Sequence, residues 1–300
     1  MKKTKILSIA LLFFIAMIWG FAFVAQVDGV KYIGSFTMNG VRFTLGALSL
    51  TPVVFFFERG RRDKTERKKT VVASLLAGSV LFLASTFQQI GIEKTGSAGV
   101  AGFITGLYTV LIPVACFFFF KQKTGINVWI GAFLSISGLF MLCYKLGEGF
   151  SFGVGELLLF IGALFWTAHV IVIDRFAKKI RPLHFSWGQF IVCALLGLIT
   201  MFIFEEPTVS GILDAKWAIL YCGVLSVGVA YTLQVVAQRR ADPTFAAIVL
   251  STESVFSAIG GALFGIDKIS VLGYVGCAVI FTGIILSQID FNDIKKKIKS

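Results

Sequence analysis

Apolar runs of about 20 residues recur along the whole chain, and they constrain its fold more than any other feature. Each run is long enough to cross a bilayer core of about 30 Å as a helix. Helices are favoured over strands because the runs are continuous rather than alternating, and because lipid requires backbone groups to be bonded within each segment. The sequence therefore predicts an all-α, polytopic membrane protein with ten transmembrane helices, at residues 6–26, 34–57, 71–92, 96–120, 126–144, 154–174, 183–204, 216–236, 243–264 and 268–288.

The composition excludes a soluble domain of this length. Apolar residues make up 57% of the chain and charged residues only 15%, whereas soluble domains have about 25% charged residues. The five cysteines all lie within apolar runs and form no C-x-x-C pair, so neither a disulfide framework nor a zinc site is predicted. No P-loop, H-E-x-x-H or G-x-S-x-G motif occurs, and we expect no enzymatic activity, no metal and no cofactor.

The distribution of positive charge predicts the orientation in the membrane. With the N-terminus placed in the cytoplasm, 22 of the 28 Lys and Arg residues fall in cytoplasmic segments, as the positive-inside tendency requires. We therefore expect a bacterial cytoplasmic membrane protein with both termini in the cytoplasm and a basic tail at 289–300. The net charge of +12 is then a topology signal, the partner is the lipid bilayer, and nucleic-acid binding is not expected.

The chain also resembles itself at an offset of 147 residues, which becomes 145 after the first charged loop. Five spans lie in each unit, and since five is odd, the second unit must enter the membrane from the opposite side. We predict two inverted repeats, 1–144 and 154–288, joined by an extracellular connector at 145–153. The paired positions include Trp19–Trp166, Arg42–Gln189, Gly78–Gly223, Gln89–Gln234, Tyr108–Glu253, Gly131–Gly276 and Gly138–Gly283.

Several ordered segments resemble the EamA-type transporters of the drug/metabolite transporter superfamily. In the first half these are IWGFAFVA, NGVRFTLGAL and FITGLYTVLIPVACFFF, and in the second half IVLSTESVFSAIGGALFG and LGYVGCAVIFTGIIL. The resemblance covers nearly the whole chain and implies ten helices in two inverted units around a central cavity. It also implies export of amino acids or other small metabolites. Many members carry a glutamate after the fourth and ninth spans, where this chain has KQK and Asp267.

Two charged residues lie near mid-depth in the predicted spans. Arg42 is about eight residues into the second span and Glu253 about ten into the ninth. A charge at the bilayer centre costs at least about 2.5 kcal/mol, so both should face the protein interior or water. Arg42 is suited to a substrate carboxylate, and Glu253 to a substrate ammonium or a coupling proton. The alternatives are a structural arginine bonded to backbone carbonyls or to Glu253, and a neutral, hydrogen-bonded carboxylic acid.

Other polar and aromatic residues in the spans are candidate substrate contacts. Asn39 lies one turn from Arg42 and is expected to hold its guanidinium. Gln88 and Gln89 are adjacent, so one can face the cavity while the other binds a neighbour. The tryptophans are equally compatible with packing, and His169 with packing or a proton relay. In addition to Arg42 and Glu253, the candidate substrate contacts are Trp19, Asn39, Gln88, Gln89, Tyr108, Trp166, His169, Gln189 and Gln234.

These features favour a secondary transporter that moves a small polar metabolite, such as an amino acid, by alternating access between the two halves. Export is the direction that the resemblance implies. The alternatives are a membrane scaffold or sensor without transport, and a transporter of another substrate class such as a nucleotide-sugar, a drug or a cation. Proton coupling and a homodimer are compatible with the sequence.

Overall fold

We describe the protein from a computed structural model, for residues 2–60, 63–121, 125–145, 149–150, 152–177, 179–238 and 249–288. The first half consists of helices α1 (Lys2–Gly29), α2 (Ser35–Phe57), α3 (Lys64–Thr95), α4 (Ala98–Gly106), α5 (Tyr108–Phe120) and α6 (Ile126–Cys143). Two short antiparallel strands, β1 (Tyr144–Lys145) and β2 (Gly149–Phe150), lie at the predicted connector, with Tyr144 just before it, and were not expected.

The second half begins with α7 (Val154–Ala177), α8 (Pro182–Phe204), α9 (Val209–Asp214) and α10 (Lys216–Leu220). A π-helical segment (Tyr221–Tyr231) then continues into α11 (Thr232–Gln238). The last helices are α12 (Glu253–Leu263) and α13 (Val271–Gln288).

The prediction of a polytopic, helical membrane protein is confirmed, whereas the count of ten spans stays a prediction. Two shorter apolar helices match the fifth and tenth predicted spans. The first six residues of the predicted ninth span, 243–248, lie outside the described residues. The predicted basic tail at 289–300 also lies outside them. Among the described residues, seven stretches are long and apolar enough to cross a membrane: Ala10–Gly29, Ser35–Phe57, Lys64–Thr95, Ala98–Phe119, Val154–Ala177, Pro182–Phe204 and Lys216–Ala237.

The outer surface of the bundle is apolar. Phe57, Phe119 and Phe202 are 71%, 81% and 72% exposed. In water such side chains would form a large unfavourable patch, but in a bilayer they face lipid chains. Charged and amide side chains near the middle of the spans, such as Arg42, Gln89 and Glu253, are buried, as the cost of placing them against lipid requires.

The fourth and ninth predicted spans are interrupted at repeat-equivalent positions. The run of α-helical residues is interrupted by turn residues at Leu107, between α4 and α5, and at Ser251–Thr252, before α12, although Leu107 and Thr252 keep right-handed helical dihedral angles. Pro113 in α5 has no N–H to complete the turn that precedes it. The Thr252 hydroxyl donates to the Val249 carbonyl at 2.6 Å, a local bond that competes with helix continuation. Helices α5 and α12 therefore begin inside the fourth and ninth predicted spans rather than at their ends.

Helices α2 and α8 are antiparallel and are tied at both ends by carboxylates. Glu205, just after α8, accepts hydrogen bonds from the backbone N–H groups of Phe36 and Thr37 at 2.9 and 2.7 Å, and from the Thr37 hydroxyl at 2.6 Å. These bonds satisfy amide groups that a helix start leaves unpaired. We name this side of the bundle the Glu205 end.

The opposite side, the Glu58 end, has the repeat-equivalent arrangement. Glu58, just after α2, accepts from the backbone N–H groups of Leu183 and His184 at 3.1 and 2.9 Å. Its Oε2 also lies 2.6 Å from Nδ1 of His184. Each half thus supplies the carboxylate that completes a helix of the other half.

Glycines bring α6 and α13 into backbone contact. A Cβ atom placed on Gly138 would lie 2.6 Å from the carbonyl oxygen of Gly276, and one placed on Gly276 would lie equally close to that of Gly138. Gly131 and Gly283 approach each other in the same way. The glycines that recur in the fifth and tenth predicted spans therefore allow these two spans to pack tightly, and only glycine fits at such distances.

Asp267, in the loop between α12 and α13, contacts the start of α4. Its carboxylate accepts from the Ser97 hydroxyl at 2.7 Å and from the Gly99 N–H at 2.8 Å. It therefore joins the loop before α13 to the helix that leads to Leu107.

Candidate functional site: a central polar cavity

A small cavity of about 40 Å³ lies between the two halves. Both interrupted spans and the π-helical segment reach it, so the irregular backbone is placed where polar groups can be satisfied away from lipid. Its lining consists of Trp19, Ala22, Phe23, Gln26, Arg42, Gln88, Thr105, Tyr108, Trp166, Val170, Ser226, Tyr231, Gln234 and Glu253.

Arg42 is the cation among the described residues that line this cavity, and it is only 3% exposed. Its Nη1 donates to Oε1 of Gln26 at 2.5 Å, while its Nε has no hydrogen-bond partner among the described residues. The guanidinium therefore keeps unused donor capacity beside the cavity. The alternative that Arg42 is neutralised by Glu253 is wrong for the described structure, since no ion pair joins them.

Glu253 supplies the acid. It is 4% exposed, it begins α12, and within the described ranges no hydrogen bond or ion pair to its carboxylate is formed. Tyr108 and Tyr231 line the same cavity. A buried carboxyl group without a partner is unfavourable, so a cation or a proton at this place would stabilise it.

Tyr108 is the repeat-equivalent of Glu253 in the sequence, and it occupies the corresponding place in the structure. It is the first residue of α5, as Glu253 is the first of α12, and both line the cavity. The two halves thus place a phenol and a carboxyl group at equivalent helix starts.

An aromatic wall closes one part of the cavity. Tyr231 stacks on Trp166 with centroids 5.8 Å apart and an angle of 11°, and it also contacts Trp19 at 4.9 Å. Trp19 donates its indole N–H to the Ser226 carbonyl at 3.5 Å, whereas the indole N–H of Trp166 has no partner among the described residues. The two repeat-equivalent tryptophans therefore share a single tyrosine.

Seven of the eleven predicted site residues meet in the cavity and four do not. Gln88 lines it and donates to the Thr105 hydroxyl at 3.2 Å, and Gln234 lines it with an unpartnered Oε1. The four others, buried beside the cavity, are Asn39, Gln89, His169 and Gln189.

The four buried residues correct two details of the sequence prediction. Asn39 does not hold the guanidinium of Arg42, because neither of its amide atoms has a hydrogen-bond partner within the described chain. Gln89 likewise binds no described neighbour. His169 and Gln189 bond to each other, with Nε2 and Oε1 2.9 Å apart. Whether any of the eleven contacts a substrate stays a prediction.

Four polar lining residues were missed by the sequence analysis: Gln26, Thr105, Ser226 and Tyr231. A signal for Gln26 exists, since it lies seven residues after Trp19 and hence on the same helical face. Ser226 and Tyr231 belong to the π-helical segment, whose altered periodicity hides the face that they share.

The model of the EamA-like transporter family matches residues 6–144 and residues 153–288 of this chain. The chain belongs to the EamA-like transporter family. Among the relatives of this EamA-like protein, an uncharacterized transporter of Archaeoglobus fulgidus is 28% identical over 91% of this chain and 82% of its own length. The uncharacterized transporter YoaV of Bacillus subtilis is 25% identical, with 93% and 95% covered.

A solved crystal structure supports the fold of this EamA-like chain. It overlays with a TM-score of 0.67 at 20% identity, and the match covers 98% of this chain and 99% of the other. The names of the two relatives above indicate transport and no catalysis. In the part of the chain that the structure describes, no group of three or more His, Cys, Asp or Glu side chains could hold a metal ion.

Proposed function

We propose that the protein is a secondary transporter built from two inverted repeats of five spans. The mirrored carboxylate contacts of Glu58 and Glu205 support this arrangement, as do the mirrored glycine contacts of α6 and α13. The two separate matches of the family model support it too. Inverted repeats commonly carry a polar site at the interface of the halves near mid-depth.

The substrate that the cavity suits best is a small zwitterion of the amino-acid type. The observation that carries this proposal is that Arg42 and Glu253 line one cavity without pairing. A substrate carboxylate would accept from the guanidinium, and its ammonium would donate to the carboxylate of Glu253. Both ends of the ligand would then be satisfied, and so would the two buried protein charges.

Transport would proceed by alternating access, with the halves rocking around the cavity. Export is the direction that the family resemblance favours. Cytoplasmic placement of both termini, location in the cytoplasmic membrane, proton coupling through Glu253 and a homodimer remain parts of the same proposal.

The test is transport of a radiolabelled amino acid mixture into proteoliposomes containing the purified protein. We expect flux above empty liposomes, and its loss in Arg42→Ala and in Glu253→Ala. Gln189→Ala is the matched control, because Gln189 is the repeat-equivalent of Arg42 and lies outside the cavity. Equal flux in all three variants would show that the two charges do not bind the substrate.

A second substrate class is favoured by the aromatic wall. Trp19, Tyr231 and Trp166 present aromatic faces near the carboxylate of Glu253, a combination that attracts organic cations. Competition of the amino acid flux by a quaternary ammonium compound separates the two classes. A cation substrate would require Glu253 but not Arg42.

A further inference from the structure

Two repeat-equivalent pairs of adjacent residues present different members to the cavity. At the offset of 145 residues, Gln88 corresponds to Leu233 and Gln89 to Gln234. The cavity, however, is lined by Gln88 and Gln234. Leu233 packs instead against an apolar cluster that includes Trp19. At this level the two halves are therefore out of register by one residue.

The register still agrees further back along the same helices. A Cβ atom on Gly78 of α3 would lie 2.8 Å from the carbonyl oxygen of Gln189. A Cβ atom on the equivalent Gly223 would lie 3.0 Å from the carbonyl oxygen of Arg42, the equivalent of Gln189. The slip must arise between these glycines and the glutamines.

The π-helical segment accounts for the slip. Helix α3 keeps α-helical geometry over Lys64–Thr95, whereas the second half has π geometry over Tyr221–Tyr231. A π turn accommodates one more residue than an α turn, and one residue rotates the following helix by about 100°. This rotation brings Gln234 to the place that Gln88 occupies in the first half.

Gln89 is left in an unfavourable position by the same difference. It is 0% exposed, and neither its Nε2 nor its Oε1 has a hydrogen-bond partner among the described residues. A buried amide with both ends unsatisfied is destabilising, and native structures rarely keep one without a reason. A second conformation that exposes Gln89 to the cavity would supply that reason.

We propose that Gln89 is a substrate-contact residue of the opposite-facing state, and that it enters the cavity when the π-helical register moves from Tyr221–Tyr231 to the equivalent stretch of α3. Gln89 then replaces Gln88, and Leu233 replaces Gln234. This inference rests on the alternating access of the proposed function.

The exchange makes the two states chemically unequal. The described state presents two amides to a polar ligand, from Gln88 and Gln234, and the opposite-facing state presents only that of Gln89. Loss of one hydrogen bond corresponds to an affinity about tenfold lower. The substrate would therefore bind more tightly in the described state and leave more readily from the other.

The first test uses Gln89→Leu, with Gln88→Leu as the matched neighbour. Flux of the radiolabelled amino acid mixture is measured in proteoliposomes, and binding and thermal unfolding are measured in detergent. We expect the Gln89→Leu protein to unfold at a higher temperature and to bind the amino acid mixture as wild type does. We expect its flux to be at least about tenfold lower than that of wild type. Gln88→Leu should instead weaken binding. Wild-type flux in a well-folded Gln89→Leu protein overturns the inference.

The second test does not need a known substrate. Leu233→Cys and Gln234→Cys are compared in membranes for reaction with a polar thiol reagent, with labelling at each site read by mass spectrometry. Modification of both cysteines supports the exchange of register, and protection of Leu233→Cys while Gln234→Cys reacts overturns it. Absence of flux in the wild-type protein would instead count against the proposed function, so the two failures are distinguishable.

Discussion

In the first half of the molecule, Arg42 reaches the cavity and is held by Gln26, whereas in the second half the equivalent Gln189 is bonded to His169 outside the cavity. The second half supplies the acid, Glu253, where the first has Tyr108. The packing contacts between the halves are mirrored, but the charges are not. A nearly symmetric scaffold therefore carries a cavity with one positive and one negative part, which can orient a dipolar ligand.

The largest expected effect breaks the symmetric contact itself. Gly138→Leu and Gly276→Leu should each prevent close packing of α6 and α13, because a Cβ atom at either position would lie 2.6 Å from a backbone oxygen. Overpacking at rigid backbone costs about 1–3 kcal/mol or more, so we expect a strong and equal loss of folded protein. Size-exclusion yield and thermal unfolding measure this.

The control for the glycine variants is Ala278→Leu, on the exposed side of α13, which should behave as wild type. A marked difference in stability between the two glycine variants would show that the two glycines contribute unequally to the contact, although their distances are equal.

The next prediction makes the two halves alike. Arg42→Gln gives the first half the residue that the second half has at this position, and it removes the charged donor from the cavity. Hydrogen bonds to charged groups contribute about 1.5–3 kcal/mol, which corresponds to roughly 10- to 150-fold weaker amino acid binding. Binding is followed by a thermal-shift titration, and stability should not fall. An unchanged affinity would remove Arg42 from the site.

A smaller effect compares the two ends of the bundle. Glu205→Gln and Glu58→Gln each leave an N–H group of a helix start without a carboxylate acceptor, and loss of such a cap costs about 0.5–2 kcal/mol. We expect similar decreases in thermal stability. His184→Thr should be nearly neutral, because Thr37 makes the corresponding contact at the Glu205 end. A large loss in His184→Thr would assign the imidazole a role that its counterpart lacks.

The smallest effects concern buried polar atoms at two equivalent positions, Asn39 and Ser186. Neither the Asn39 amide nor the Ser186 hydroxyl has a hydrogen-bond partner in the described part of the chain. Asn39→Leu should raise stability by about 1 kcal/mol or more, and Ser186→Ala by less, since an unsatisfied buried group is removed. Chemical or thermal unfolding in detergent decides this, and a decrease would show that Asn39 is satisfied in the membrane.

Much of this architecture can be predicted from the sequence, because few backbone structures can span a bilayer. Continuous apolar runs predict the helices, and the glycines repeated seven residues apart in the fifth and tenth spans indicate that these two spans pack tightly. The burial of Arg42 and Glu253 at one cavity follows from the cost of charge in lipid. Even Tyr108 is found through its equivalence to Glu253.

Other features escape the sequence for identifiable reasons. The π-helical segment has ordinary residues, so nothing in YCGVLSVGVAY indicates that Tyr231 turns toward Trp166. Which of Gln88 and Gln89 faces the cavity depends on helix rotation, which packing sets and propensity does not. The bond of Arg42 to Gln26 rather than Asn39 depends on the position of α1 beside α2. The packing of helices that are distant in sequence decides these cases, and the local residue pattern does not predict that packing.

The crossed carboxylates have a consequence for how the chain is made. When α2 first enters the membrane, the amide groups of Phe36 and Thr37 have no acceptor, because Glu205 is still to be synthesised. The amino-terminal unit therefore lacks this contact until the whole of α8 and Glu205 after it have been synthesised. A fragment ending near residue 144 should be recognised by membrane quality-control proteases, and co-production of the missing piece should rescue it.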